Sequence, residues 1–201
     1  MVSRFFRNCI CSLVLAGGVA MASAANAAPT AVFNGWRTSV ALSAELVGAL
    51  TSLNVAPSPV FPATLRNGVA AFPIPSGELD LANAKGEVLH LGGLRLSTAS
   101  TRVELTQFII DTTAASGAVL TGLVKVNGNV VGRLPLFTVA LPSINLPIEP
   151  RRTLVVPNVN LALTDTAAQA LNATFNVNAF AAGIPVGVAT LTAVGVRVPG
   201  H

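Results

Sequence analysis

From Ile184 to Val198 every even-numbered residue is β-branched: Ile184, Val186, Val188, Thr190, Thr192, Val194, Val196 and Val198. The odd positions read Pro185, Gly187, Ala189, Leu191, Ala193, Gly195 and Arg197. An unbroken period of 2 predicts a strand, because successive side chains of an extended chain point to opposite faces and branched residues suit a pleated surface. The stretch between Asp165 and Arg197 carries no charge and is long enough for a membrane helix. A helix, however, would scatter the branched residues around its axis and would carry Asn176, Asn178 and Pro185 into lipid. A strand lines them up on one face. Fully extended, the run would reach on the order of 50 Å, so a bend is expected at Gly187 or Gly195. The small residues of the odd face imply close approach by another layer.

The rest of the chain fits the same architecture. It is 201 residues long, 52% hydrophobic and only 10% charged, against about 25% charge in ordinary domains. So apolar a composition suits a membrane protein or an exported β-rich domain with strands buried on both faces, and the alternation favours the second. Residues 1–27 read as a secretory signal peptide: Arg4 and Arg7, an apolar run from Ile10 to Ala22, then small residues with Ala25-Asn26-Ala27 as the cleavage site. Cys9 and Cys11 fall within it, before and at the start of the apolar run, which argues against a lipoprotein. Residues 28–201 are then a single domain that enters an oxidising compartment with no disulfide. A bacterial periplasm, a cell surface or the exterior is the expected location, with no membrane-crossing helix left after cleavage. Ten Lys and Arg stand against eight Asp and Glu in this part. They are scattered apart from Arg151-Arg152, which speaks against nucleic acid as a partner.

Two hairpins are expected. Asn127-Gly128 between Val124-Lys125-Val126 and Asn129-Val130-Val131 suits a type I′ turn, which needs positive φ at both central residues, and should pair 119–126 with 129–137. Val and Leu on both faces of that pair suggest a central position. In Glu87-Val88-Leu89-His90-Leu91-Gly92-Gly93-Leu94-Arg95-Leu96, a two-residue turn at Gly92-Gly93 would put four leucines on one face and His90 with Arg95 on the other. Further strands are expected at 68–73, 102–111 and 152–162, with a bulge near Gln107 where the alternation slips. Prolines at 57–62, 73–75 and 142–150 mark loops or edges. Ser43 and Thr164 are placed to cap short helices over 44–53 and 165–174. These two stretches align without gaps from Val40 and Leu161 as far as Leu50 and Leu171, and Asn54-Val55 recurs as Asn176-Val177 after one extra residue, so a strand–cap–helix unit occurs twice.

The inventory for catalysis is thin. After the leader there is no Cys, no Tyr anywhere, and only His90 and His201 as histidines. No Gly-x-Ser-x-Gly elbow is present and no ligand set for zinc, so no catalytic or metal-ligating residue is assigned and the chain reads as a non-enzyme. Glu78 and Asp80, two apart, share one face of a strand and could help hold a hard cation, but they read more simply as a solvated face. His90 and Arg95 are the site candidates. A neutral imidazole beside glycines can meet a haem iron or hold another ligand, whereas in the two-residue-turn arrangement His90 is an ordinary exposed residue.

The order of motifs resembles that of secreted HtaA-type domains. It runs from a strand and helix through Phe72-Pro73-Ile74-Pro75-Ser76-Gly77, Gly86 to Leu94, and the strand ending Ile109-Ile110-Asp111. Leu161-Ala162-Leu163-Thr164, an Ala-rich helix and Phe180-Ala181-Ala182-Gly183 complete it. The resemblance implies a mainly β fold with two short helices that captures haem at the bacterial surface, with a tyrosine on the iron and a histidine in support. Without a tyrosine the iron ligand has no counterpart here. His90 would have to ligate directly, or the pocket would hold the porphyrin by apolar contact.

The sequence therefore predicts a mainly β protein, an antiparallel β-sandwich-like arrangement or curved sheets with two short α-helices. It is expected to be an exported, non-catalytic binding or surface-interaction protein, whose partner is a protein or an apolar small molecule and whose oligomeric state is left open. The alternative is a carrier of haem or another apolar small molecule, using a cleft between sheet and helix near His90. A second alternative, an outer-membrane β-barrel, lacks aromatic girdles.

Overall fold

The computed structural model describes residues 30–142 and 153–197. The expected signal peptide, Arg151-Arg152, the end of the long terminal strand at Val198, and His201 lie outside the described residues. Twelve strands and two helices are present among them: β1 (Thr30–Leu42), α1 (Ala44–Ser52), β2 (Ala56–Val60), β3 (Thr64–Arg66), β4 (Val69–Pro73), β5 (Gly77–Asp80), β6 (Gly86–Leu89), β7 (Gly93–Ser97), β8 (Arg102–Asp111), β9 (Val119–Val126), β10 (Asn129–Ala140), β11 (Thr153–Leu163), α2 (Asp165–Phe175) and β12 (Pro185–Arg197). The mainly β class with two short helices is the one the sequence implies.

The sheet is curved to the point of closure. Pairing runs β12-β11-β10-β9-β8-β6-β5-β1, and β1 pairs β12 again, which completes an antiparallel circuit of eight strands. At one end β1 and β8 are joined through β5 and β6. At the other, β4 takes over from β5 along β1, and β7 takes over from β6 along β8. There β3 pairs β4 and β2 pairs β7, so the β2–β3 segment is inserted where the wall splays. Pro57 and Pro59 lie in β2, which pairs on one side only. Proline withdraws the donors that an edge would otherwise expose.

Both helices leave strands of the same direction and cover the splayed end. Ser43 Oγ accepts from Leu46 N–H (3.0 Å) and Thr164 Oγ1 from Ala167 N–H (3.1 Å), the capping bonds that start each helix. The two units match beyond their caps. Ser43 donates from its amide to the Val186 carbonyl (2.9 Å) and from its hydroxyl to Pro185 (2.5 Å). Thr164 donates from its amide to Leu136 (3.0 Å) and from its hydroxyl to Pro135 (2.7 Å). Asn54 and Asn176, at φ 55° and 53°, turn the chain out of each helix. The sequence repeat is therefore a repeat of local geometry: β12-β1-α1 and β10-β11-α2 are built alike.

The Asn127-Gly128 turn forms as expected, with φ of 50° and 86° and Val126 paired to Asn129. Strands near 68–73, 102–111 and 152–162 and both helices also appear, and Gln107 sits at a bulge with φ 51°. The Gly92-Gly93 hairpin does not. β6 and β7 never pair with each other; both lie along β8 as one interrupted strand. Burial on both faces is also overturned. In β12 the small odd face is the inner one, with Ala189, Leu191 and Ala193 buried, while Val188 is exposed. The pairing slips beside Gly187, which puts Val186 inside with them. A Cβ at Gly187 would lie 2.2 Å from the Ala41 carbonyl oxygen, so the close neighbour there is the paired strand β1 and not the second layer expected of this face. Val130 and Val131 at the hairpin tip are exposed by 62% and 58%. Closing one sheet buries one face of each strand, and the apolar excess spills onto the outside.

The interior is apolar and the outer face carries charge, including Glu78, Glu87 and the Arg95–Glu104 ion pair at 3.0 Å. The filled apolar interior is unlike the polar lumen of a membrane-spanning barrel, and the outer face mixes these charges with exposed apolar side chains such as Val155 and Val188. No helix among the described residues is long and apolar enough to cross a membrane.

Candidate functional site

His90 sits in the break between β6 and β7. Its amide donates to the Phe108 carbonyl (2.8 Å), the Leu91 amide to Pro73 (2.9 Å), and the Gln107 amide to Gly92 (3.2 Å). The break in this strand thus faces the bulge in β8, and Arg133 braces the bulge by donating to the Gln107 carbonyl (2.9 Å). Gly92 and Gly93 serve packing. A Cβ on Gly92 would lie 2.4 Å from the Ala63 nitrogen, and one on Gly93 2.1 Å from the Leu105 carbonyl oxygen. The β2–β3 loop rests on Gly92 and β8 on Gly93, while His90 keeps the alternation of buried Val88 and exposed Leu89 and so points inward.

There His90, only 4% exposed, meets Thr38 of β1, also 4% exposed, with Nε2 and Oγ1 2.7 Å apart. Burial lowers the imidazole pKa to about 4, against a smaller opposing effect of the Phe108 and Val88 backbones. The ring is therefore neutral at neutral pH. Which partner donates is set by the tautomer: with Nε2–H it is the ring, otherwise the threonine hydroxyl. Nδ1 has no partner in hydrogen-bond geometry. Phe72 and Phe108, edge to face with centroids 5.2 Å apart, line the same space.

That space is a cavity of about 70 Å³ beneath the helices, walled by Leu50 of α1, Leu171 of α2 and inward side chains of the barrel, and its exposed wall is apolar. No ionisable side chain other than His90 lines it. Among the described residues no group of three His, Cys, Asp or Glu side chains could hold a metal ion. The residues do not fit a haem. Pockets for ligands of drug size start at roughly 300 Å³, the His90 Nε2 is engaged by Thr38, and the chain has no tyrosine.

Of the two sequence candidates, only His90 belongs here. Arg95 lies on β7 with its guanidinium on Glu104 (3.0 Å), and the face it was expected to share with His90 does not exist. His90 itself is buried, not the exposed residue of the two-residue-turn arrangement. Asp80 accepts from Ala82 N–H (2.7 Å) and Asn83 Nδ2 (3.0 Å), which makes it a turn-forming residue, while Glu78 is exposed. Thr38 was missed. Its inward phase follows from Val40, but the slip at Gly35 and Trp36, with φ of 81° and 72°, obscures the alternation before it.

No protein-family model and no curated protein matches the sequence. Solved structures do. The fold is that of the C-terminal domain of HtaA from Corynebacterium glutamicum, at TM-score 0.62 and 14% identity over 82% of this chain and 99% of that one. A domain-swapped dimer of a histidine-to-alanine variant of that domain gives 0.54 and 16%, over 75% and 88%. The haem-binding protein HtaB of the same organism gives 0.53 and 12%, over 84% and 96%. The fold implied by the sequence resemblance is the fold observed.

Proposed function

We propose that this chain is an exported, non-catalytic binding protein that holds an uncharged apolar molecule inside its helix-capped barrel. The observation that carries this reading is the apolar cavity at His90: a void left beside a buried imidazole whose Nδ1 has no partner, where protein interiors are ordinarily close-packed. A binding role agrees with the haem-binding protein among the fold's neighbours. A non-catalytic role agrees with the His90 surroundings, where the imidazole has a threonine hydroxyl and no carboxylate to orient it as a base. Haem is the less favoured ligand on grounds of volume and ligation.

The test uses residues 28–201. Benzene at saturation should raise the melting temperature, because a ligand of the native state alone stabilises it by mass action. Haemin should give no Soret shift that depends on His90. Absence of stabilisation by any small apolar molecule overturns the reading, and a haemin Soret shift abolished by His90→Ala replaces it with haem capture.

A further inference from the structure

The cavity at His90 has two small apolar voids as neighbours among the described residues of the barrel interior. One, about 40 Å³, lies lower in the barrel and shares Thr38, Ile110 and Ala189 with the His90 cavity as walls. The other, about 30 Å³, lies under α2 and shares Leu105, Phe137, Leu163 and Leu171 with it. Common walls order them in a row, from α2 through the centre to the far half of the barrel. Their linings are apolar, and together they approach the ~150 Å³ of an engineered apolar cavity that takes up benzene. The partitions are side chains, several of them long and able to change rotamer.

We propose that the row is the seat of a single unbranched alkyl chain, with the Thr38–His90 pair as the one polar contact, suited to an uncharged hydroxyl. This deepens the binding reading above and rests on it. A row of voids parted only by side chains matches a flexible chain better than a flat ring, which needs one undivided slot. A hydroxyl both donates and accepts, so it can meet the pair in either tautomer. A carboxylate or ammonium end is rejected, since the cavities hold no opposite charge and burying an unpaired ion is prohibitive. Entry is at the helical end, where Leu46 and Leu50 of α1 line the central void.

Hexan-1-ol, sodium hexanoate and benzene are the probes, with binding to residues 28–201 read by calorimetry and by melting temperature. Hexan-1-ol should bind at least tenfold more tightly than benzene, and hexanoate should not bind. Ala189→Val places two methyl groups between the central and lower voids. It should fold with an unchanged or higher melting temperature and lose hexan-1-ol binding at least tenfold. Ala70→Val, from another wall of the central void, is the independent variant should Ala189→Val fail to fold. Equal binding of alcohol and carboxylate, or binding unaffected by both filling substitutions, overturns the proposal. Benzene binding without hexan-1-ol binding overturns it while leaving the broader reading standing, and no binding by either overturns both.

Discussion

Thr38 Oγ1 and His90 Nε2, from residues 52 positions apart in the chain, lie 2.7 Å from each other in the apolar interior. Both residues are almost fully buried, so each hides a polar group that water would otherwise satisfy. The contact joins β1 to the break between β6 and β7, across the place where the wall begins to splay.

Burial of a neutral His90 makes stability depend on pH. Its folded pKa of about 4 lies below the ordinary 6.5, so the unfolded chain binds more protons between these values and stability rises with pH. The contribution is complete above about pH 6.5 and is lost as pH falls toward 4, by about 3 kcal/mol from the size of the shift. Urea unfolding at pH 7 and pH 4.5 should show most of this loss in the wild type, and His90→Phe should flatten it. Asp111 works in a lower window. The hydroxyl and amide of Thr113 hold its carboxyl below the usual range, so its contribution is present above the ordinary carboxylate pKa and fades as pH falls through the depressed one. A wild-type curve flat from pH 7 to pH 4.5 would contradict a buried neutral His90.

Removing one member of the pair should cost more than removing both. Thr38→Val keeps the shape but leaves the imidazole with no side-chain partner, at about 1–3 kcal/mol. Adding His90→Phe removes the orphan, and the double variant should recover part of that loss. A double-mutant cycle by chemical denaturation measures the coupling. Strict additivity would mean that the contact contributes nothing to stability.

The glycines separate turn chemistry from packing. Gly128, at φ 86° in the hairpin, has open space where a Cβ would go, so Gly128→Ala should cost about 1–2 kcal/mol from the backbone alone. Gly92, at φ 79°, would add a clash with the Ala63 nitrogen and the Val60 carbonyl, and Gly92→Ala should lower stability by several kcal/mol more. Thermal melts of the two variants side by side give the comparison, and similar losses would show that the β2–β3 loop does not rest on Gly92.

The same pair of glycines shows what sequence could and could not reveal. Asn127-Gly128 was legible because its signal is local: two positive-φ residues between alternating runs specify a turn wherever they occur. Gly92-Gly93 carries nearly the same local signal, but its geometry is set by residues near 60 and 105 that no window around it contains. His90 was therefore visible as a candidate while its inward direction was not. Thr38 had no signal of its own, since a threonine in a strand is ordinary until the residue opposite it is known. Ser43 and Thr164 were legible because a cap and the start of its helix lie within four residues.

Those two hydroxyls give the last prediction. Each accepts the capping bond of its helix and also donates to a proline carbonyl on the neighbouring strand. Substitution by alanine removes the capping contribution, typically about 1 kcal/mol, and also leaves the proline carbonyl without its hydroxyl partner. Losses toward the upper end of the capping range, about 2 kcal/mol, are thus expected for both Ser43→Ala and Thr164→Ala. Ser43→Asp and Thr164→Asp separate the two roles: a carboxylate accepts at the cap but cannot donate to the carbonyl. They should recover helix capping but not the strand contact, giving losses between wild type and alanine. Hydrogen exchange should then show the amides of α1 and α2 protected in the aspartate variants while those at the ends of β1 and β11 open more readily. Full recovery of stability with aspartate would show that the proline contacts add nothing, and that the matched geometry of the two units is a matter of capping alone.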